Sequence, residues 1–87
     1  MPTFYYVYVL RSHADGLFYT GYTADLRQRM QQHESGAVHS TANRLPVELV
    51  YYEACRTQSD ATRREKYLKT AWGKRFIKSR LQDYLTG

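Results

Sequence analysis

Five side chains in this chain of 87 residues have types and spacing that could do chemistry together: Tyr8, Tyr19, Arg29, His33 and Glu65. A carboxylate in a half-buried pocket is a hard oxygen ligand for Mg²⁺, an ion that keeps several of its own waters. A guanidinium stabilises charge developing on a phosphoryl group, and a phenol or imidazole can handle a water's proton. Together they are equipped to hydrolyse a phosphodiester, provided the fold gathers them. A free phenol titrates near pH ~10, so a tyrosine acting as general base requires tuning by metal-bound water or by Arg29.

The elements that must position them start with two aromatic and β-branched runs, Tyr6 to Leu10 and Leu17 to Gly21, separated by the turn pair Asp15-Gly16. If Arg11 pairs with Gly16, Tyr8 lies directly opposite Tyr19, with Cβ atoms about 4.5–5.5 Å apart on one face. The first run is apolar on both alternations, so it is expected at the sheet centre, covered on both sides. Val47 to Glu53 reads as a third strand.

Thr23 is a candidate N-cap with Asp25 in the first turn, predicting a helix to about His33. On its wheel Leu26, Met30 and His33 share one stripe with Arg29 at its edge, whereas Arg27, Gln28, Gln31 and Gln32 take the outer side. His33 is open to a second reading, as a C-terminal histidine favoured by the helix dipole. Ser59 as N-cap and Gly73 as C-terminal glycine predict a helix from about Asp60 to Trp72. Its narrow stripe of Ala61, Glu65, Leu68 and Trp72 places a carboxylate among core-facing residues and makes Trp72 a core anchor. A last helix is expected from about Lys74 to Tyr84. Between Glu34 and Pro46 lies a 13-residue loop, long enough for a functional role or a short helix.

Residues 56–87 hold nine of the thirteen basic residues and three of the eight acidic ones, +6, and the remaining chain sums to −1. Cations clustered in that way attract a polyanion. The single Cys55 excludes an internal disulfide and points to a reducing, cytoplasmic setting. No apolar run reaches the length of a membrane span. One domain over residues 1–87 is expected, burying about 60–65% of its extended-chain surface.

The order of these motifs resembles the GIY-YIG endonuclease superfamily. Tyr6-Val7-Tyr8 stands as the first half-motif and Tyr19-Thr20-Gly21 as the second. They are followed by Thr23-Ala24-Asp25-Leu26 with Arg29 and His33, by Leu45-Pro46 running into Val47 to Glu53, and by Arg64-Glu65 with Leu68-Lys69. The chain is most similar to small bacterial proteins made of this domain alone, and to the nuclease module of the excision-repair subunit that makes the 3′ incision. The resemblance implies an α/β (α+β) fold, a three-stranded antiparallel-type sheet flanked by helices. It also implies metal-dependent DNA cleavage with one Mg²⁺ (or Mn²⁺) held by Glu65. In that pattern Tyr8 and Tyr19 match the tyrosines at the attacking water, Arg29 matches the arginine at the scissile phosphate, and His33 matches a histidine found in part of the family.

Gly21, Tyr22, Ser40, Arg44, Lys69, Lys74, Arg75 and Lys78 are the expected nucleic-acid contacts. Single-stranded or branched DNA suits so small a positive face, RNA stays open as a substrate, and a partner protein could supply targeting. Two positions depart from the pattern: Tyr22 stands where some relatives carry lysine, and Ser79 where some carry a functional asparagine. The alternative is a non-catalytic module that keeps the fold to hold nucleic acid or protein.

Overall fold

A computed structural model describes residues 3–87. Its three strands are β1 (Tyr5–Ser12), β2 (Phe18–Thr23) and β3 (Val47–Cys55), arranged β2-β1-β3 with both pairings antiparallel. The helices are α1 (Leu26–Glu34), α2 (His39–Ala42), α3 (Gln58–Leu68), α4 (Ala71–Arg80) and α5 (Gln82–Thr86). As its two-sided apolar pattern requires, β1 is central, and Val7, Tyr8, Val9 and Leu10 are all buried. Val7 and Val9 meet Ala61, Leu68, Ile77 and Leu81 from the C-terminal helices, forming the main core. Tyr6 and Tyr8 point to the other face, under α1.

The hairpin register differs from the sequence expectation by two residues. Tyr8 pairs with Gly21, Tyr19 pairs with Leu10, and Arg11 pairs with Phe18. The reason is the turn: the Ser12 N–H donates to Leu17 O at 3.0 Å, and Gly16 takes φ 73°. Ser12, itself buried, accepts from the N–H groups of Ala14 and Asp15 and donates to Arg44 O at 2.6 Å. A two-residue shift preserves the side-chain alternation, so Tyr8 and Tyr19 still share a face as diagonal neighbours.

The helix boundaries also move. β2 continues through Thr23, whose hydroxyl accepts from the Asp25 N–H, and Asp25 caps α1 by accepting from the Gln28 N–H. Thr57 rather than Ser59 caps α3, accepting from the Asp60 N–H at 3.1 Å, because only two residues separate β3 from this helix. The expected 60–72 helix breaks at Thr70, which caps α4 by accepting from the Gly73 N–H and also donates to Tyr67 O at 2.6 Å. Gly73 is therefore not a helix terminus. It is a buried residue inside α4, where any Cβ would meet Tyr67 O and the Leu68 backbone. This close approach rotates Trp72 outward to 66% exposure, with the Arg75 guanidinium 4.8 Å from its ring, so Trp72 is a surface residue and not a core anchor.

Candidate active site

Tyr8, from the central strand, and His33, from the last turn of α1, are 1% and 0% exposed and hydrogen bonded through Oη and Nε2 at 2.8 Å. The other ring nitrogen, Nδ1, lies 2.8 Å from Thr41 Oγ1 of α2. The Thr41 hydroxyl reaches Val38 O at 3.5 Å as donor, so it accepts from Nδ1–H and leaves Nε2 bare. We assign this tautomer from the network: the Tyr8 O–H donates to His33 Nε2. Arg29, one turn before His33, donates from Nε to Tyr8 Oη at 3.4 Å and from Nη1 to Gln32 Oε1 at 2.9 Å.

The electrostatics follow from this packing. Burial raises the Tyr8 phenol above its ordinary value despite the Arg29 hydrogen bond, and the charges of Tyr19 and Glu65 add to the rise. His33 is pushed down to about 4, by burial and then by the charge of Arg29, so it is neutral at pH 7. Arg29 is held still more firmly protonated, mainly by its hydrogen bond to Tyr8.

Tyr19, half-buried, completes an aromatic triangle: its ring centroid is 6.4 Å from Tyr8 and 5.3 Å from His33. Gly21 is buried under the Tyr8 ring, and a Cβ there would lie 2.6 Å from Tyr8 Oη. Glu65 sits on α3 between the buried Ala61 and Leu68, its side chain 17% exposed, with Lys69 Nζ at 3.4 Å. That i,i+4 pair is weak because Lys69 is mostly in solvent. Glu65 is thus a half-buried carboxylate whose charge reaches the Tyr8 phenol. Among the described residues no cluster of three or more His, Cys, Asp or Glu exists. The donor set fits an ion that takes one carboxylate and fills its remaining positions with water and phosphate oxygens, as Mg²⁺ does.

The expected nucleic-acid contacts scatter more widely. Lys69, Lys74, Arg75, Lys78 and Ser40 are exposed, as is Ser79. Arg44 is instead committed to the hairpin, with Nε 3.2 Å from Asp15 Oδ2 and Nη2 donating to Phe18 O at 3.5 Å. Tyr22 packs against the core and its hydroxyl accepts from Gln58 Nε2 at 3.2 Å, while Gly21 is covered by Tyr8.

Two buried polar residues, Thr41 and Ser12, were missed from the sequence, because a threonine eight positions after His33 in a polar loop carries no pattern of its own. Also unforeseen is a bidentate pair away from the tyrosines, Arg64 to Glu53 at 2.8 and 2.9 Å, to which Tyr51 adds a hydroxyl at 2.7 Å. Burial pushes the Glu53 carboxyl up, but these hydrogen bonds outweigh it and leave it below its usual range.

The family model of the GIY-YIG catalytic domain matches residues 4–84. The chain belongs to the GIY-YIG family. It is 42% identical over 67 residues to a UPF0213 protein of Desulfotalea psychrophila, covering 75% of this chain and 60% of that one, so less than two thirds of that relative's length is spanned. A UPF0213 protein of Streptococcus agalactiae is 43% identical over 74% of this chain and 73% of its own. The solution NMR structure of a UPF0213 protein from Bacillus halodurans superposes with a TM-score of 0.55 at 35% identity, covering 87% of this chain and 83% of that one. This small GIY-YIG member is a three-stranded antiparallel sheet flanked by helices. No helix among the described residues is long and apolar enough to cross a membrane.

Proposed function

We propose that this chain is a metal-dependent DNA endonuclease, hydrolysing phosphodiester bonds in single-stranded or structured DNA to leave a 5′-phosphate and a 3′-hydroxyl. The observation that carries the reading is the Tyr8–His33–Arg29 hydrogen-bonded group, beside Tyr19 and within electrostatic reach of Glu65. In this reading Glu65 holds a Mg²⁺ or Mn²⁺ ion through one carboxylate oxygen. When bound, the ion would polarise the scissile phosphate and make the attacking water more acidic. Tyr8 Oη accepts the water's proton as its own proton passes to His33 Nε2. Thr41 keeps the His33 ring in the accepting tautomer, and Tyr19, the more accessible phenol, orients the water. The Arg29 guanidinium stabilises the negative charge gathering on the phosphoryl oxygens. Free Cys55 suits a cytoplasmic setting, and processing of branched or single-stranded DNA is work of the kind DNA repair requires.

One observation favours a second reading, a non-catalytic binding module: Tyr8 and His33 already satisfy each other and are nearly sealed from solvent. The test is cleavage of labelled single-stranded, duplex and branched DNA and of RNA, with Mg²⁺, Mn²⁺ or chelator, alongside Glu65→Ala and Tyr8→Phe. Metal-dependent cutting lost in both variants supports the nuclease and names its substrate. Salt-sensitive binding that ignores metal and Glu65→Ala, without cutting, supports the module.

A further inference from the structure

A cavity of about 340 Å³ opens on the face of the sheet opposite Tyr8, between β2 and α4. Phe18, Leu68 and Ile77 form an apolar floor, and Lys69, Lys74 and Lys78 stand around it. Leu68 and Ile77, 1% and 2% exposed, anchor the cavity in the fixed core, and its accessible apolar surface comes from Leu17, 62% exposed, and the half-buried Phe18 and Leu85. No acidic residue lines the cavity. Among the described residues neither Lys74 nor Lys78 is in a salt bridge, and Lys69 has only Glu65. The cavity thus offers two uncompensated ammonium ions, those of Lys74 and Lys78, above a preformed apolar surface, a combination that suits an anion carrying a flat apolar body.

One side chain joins this cavity to the candidate active site: Lys69 lines it while its ammonium reaches Glu65 at 3.4 Å. Thr20, also in the lining, faces away from its neighbours Tyr19 and Gly21 on the edge strand β2, so a strand bound at Tyr19 reaches the cavity by passing round that edge. An occupant that touches Lys69 is thus one side chain away from the carboxylate proposed to hold the metal. Its volume is at the small end for ligand sites, large enough for one small group and not for a stacked base pair.

We infer that this cavity takes one unpaired nucleobase of the nucleic-acid strand engaged at the Tyr8–Glu65 site, with Lys74 and Lys78 on the flanking phosphates. The inference rests on the nuclease reading for the strand's position, and it makes that reading's preference for unpaired DNA a property of the fold. A paired base has its edges and faces committed in the duplex, whereas an unpaired one can lay its π-face on an apolar wall. The lysines recognise the backbone without regard to sequence, so the pocket selects single-strandedness and not base order.

The experiment is binding without cleavage. The whole protein, in chelator, is titrated with a pentathymidylate strand and with a fully abasic pentamer of equal charge, following the methyl NMR signals of Ile77 and Leu85. The base-bearing strand is expected to bind roughly 5- to 100-fold more tightly than the abasic one and to shift those methyls, which the abasic strand leaves unmoved. Lys74→Gln with Lys78→Gln is expected to flatten the plot of log affinity against log salt by about 1.4, two phosphate contacts on a single strand. Equal affinity for the two pentamers, or unmoved methyls with the thymidylate, overturns the inference. So does saturation of the cavity by decanoate with no loss of strand binding, which would assign the cavity to small amphiphilic acids. Cleavage with Mg²⁺ is scored separately: base-dependent binding with no cutting upholds the cavity and removes the nuclease, and cutting with base-independent binding does the reverse.

Discussion

Tyr8 Oη lies 2.8 Å from His33 Nε2, and both side chains are almost wholly buried. The relationship spans 25 residues of sequence and joins the central strand to the last turn of α1. A buried phenol must donate somewhere, and here the acceptor is a histidine whose other nitrogen is already satisfied by Thr41. The pair is therefore a structural lock, and under the nuclease proposal it is also the path of the attacking water's proton.

Its pH dependence has a definite sign. His33 is depressed to about 4 in the folded chain, against an ordinary value near ~6.5 when unfolded. Between those values the unfolded state binds more protons, so stability is fully present above about pH 6.5 and is lost as pH falls toward 4. The contribution is at most about 3 kcal/mol. Urea unfolding of wild type and His33→Gln at pH 7 and pH 4.5 is expected to show a steeper acid loss in the wild type. Parallel losses in the two proteins would remove His33 from this role.

Thr41→Val keeps the shape but leaves His33 Nδ1–H buried without an acceptor. We expect a loss of about 1–3 kcal/mol in stability, with Thr41→Ser recovering most of it. Cleavage measured at a temperature where the variants remain folded should fall for valine and recover for serine. A valine variant as stable and active as the wild type would show that the tautomer is fixed by something else.

Gly21→Ala tests how closely Tyr8 is placed. The new Cβ would lie 2.6 Å from Tyr8 Oη and 2.7 Å from Cζ, so the phenol must move. Overpacking of this sort costs about 1–3 kcal/mol, and a catalytic group displaced by about 1 Å loses on the order of 10²-fold in rate. Circular dichroism and cleavage, read together, are expected to show a folded protein with that deficit.

Gly73→Ala tests the α3–α4 junction. The added methyl meets backbone rather than a movable side chain, so a loss of about 1–3 kcal/mol is expected in urea unfolding, with Ala71→Gly, at an exposed position of the same helix, losing no more than about 1 kcal/mol. Equal stabilities of Gly73→Ala and wild type would mean that the two helices can separate freely.

The sequence by itself determined the strands, their central member, the inward faces of α1 and α3, and the residues that carry the family motifs. It could do so because alternation and helical period are local and repeat within a few residues. The shared sheet face of Tyr8 and Tyr19 and the inward placing of Arg29, His33 and Glu65 were legible on those grounds, and the roles expected of them came from the family resemblance. The tertiary structure alone decided how the turn that sets the hairpin register is anchored, through the Ser12 hydroxyl to a carbonyl 32 residues away. It also decided the partner of His33, since Thr41 reaches it only after the loop folds back, and the outward turn of Trp72, forced by Gly73 against Tyr67 and Leu68. Each of these depends on a single polar or steric contact between segments whose local patterns do not mention one another. Such contacts become definite only when the whole chain has packed.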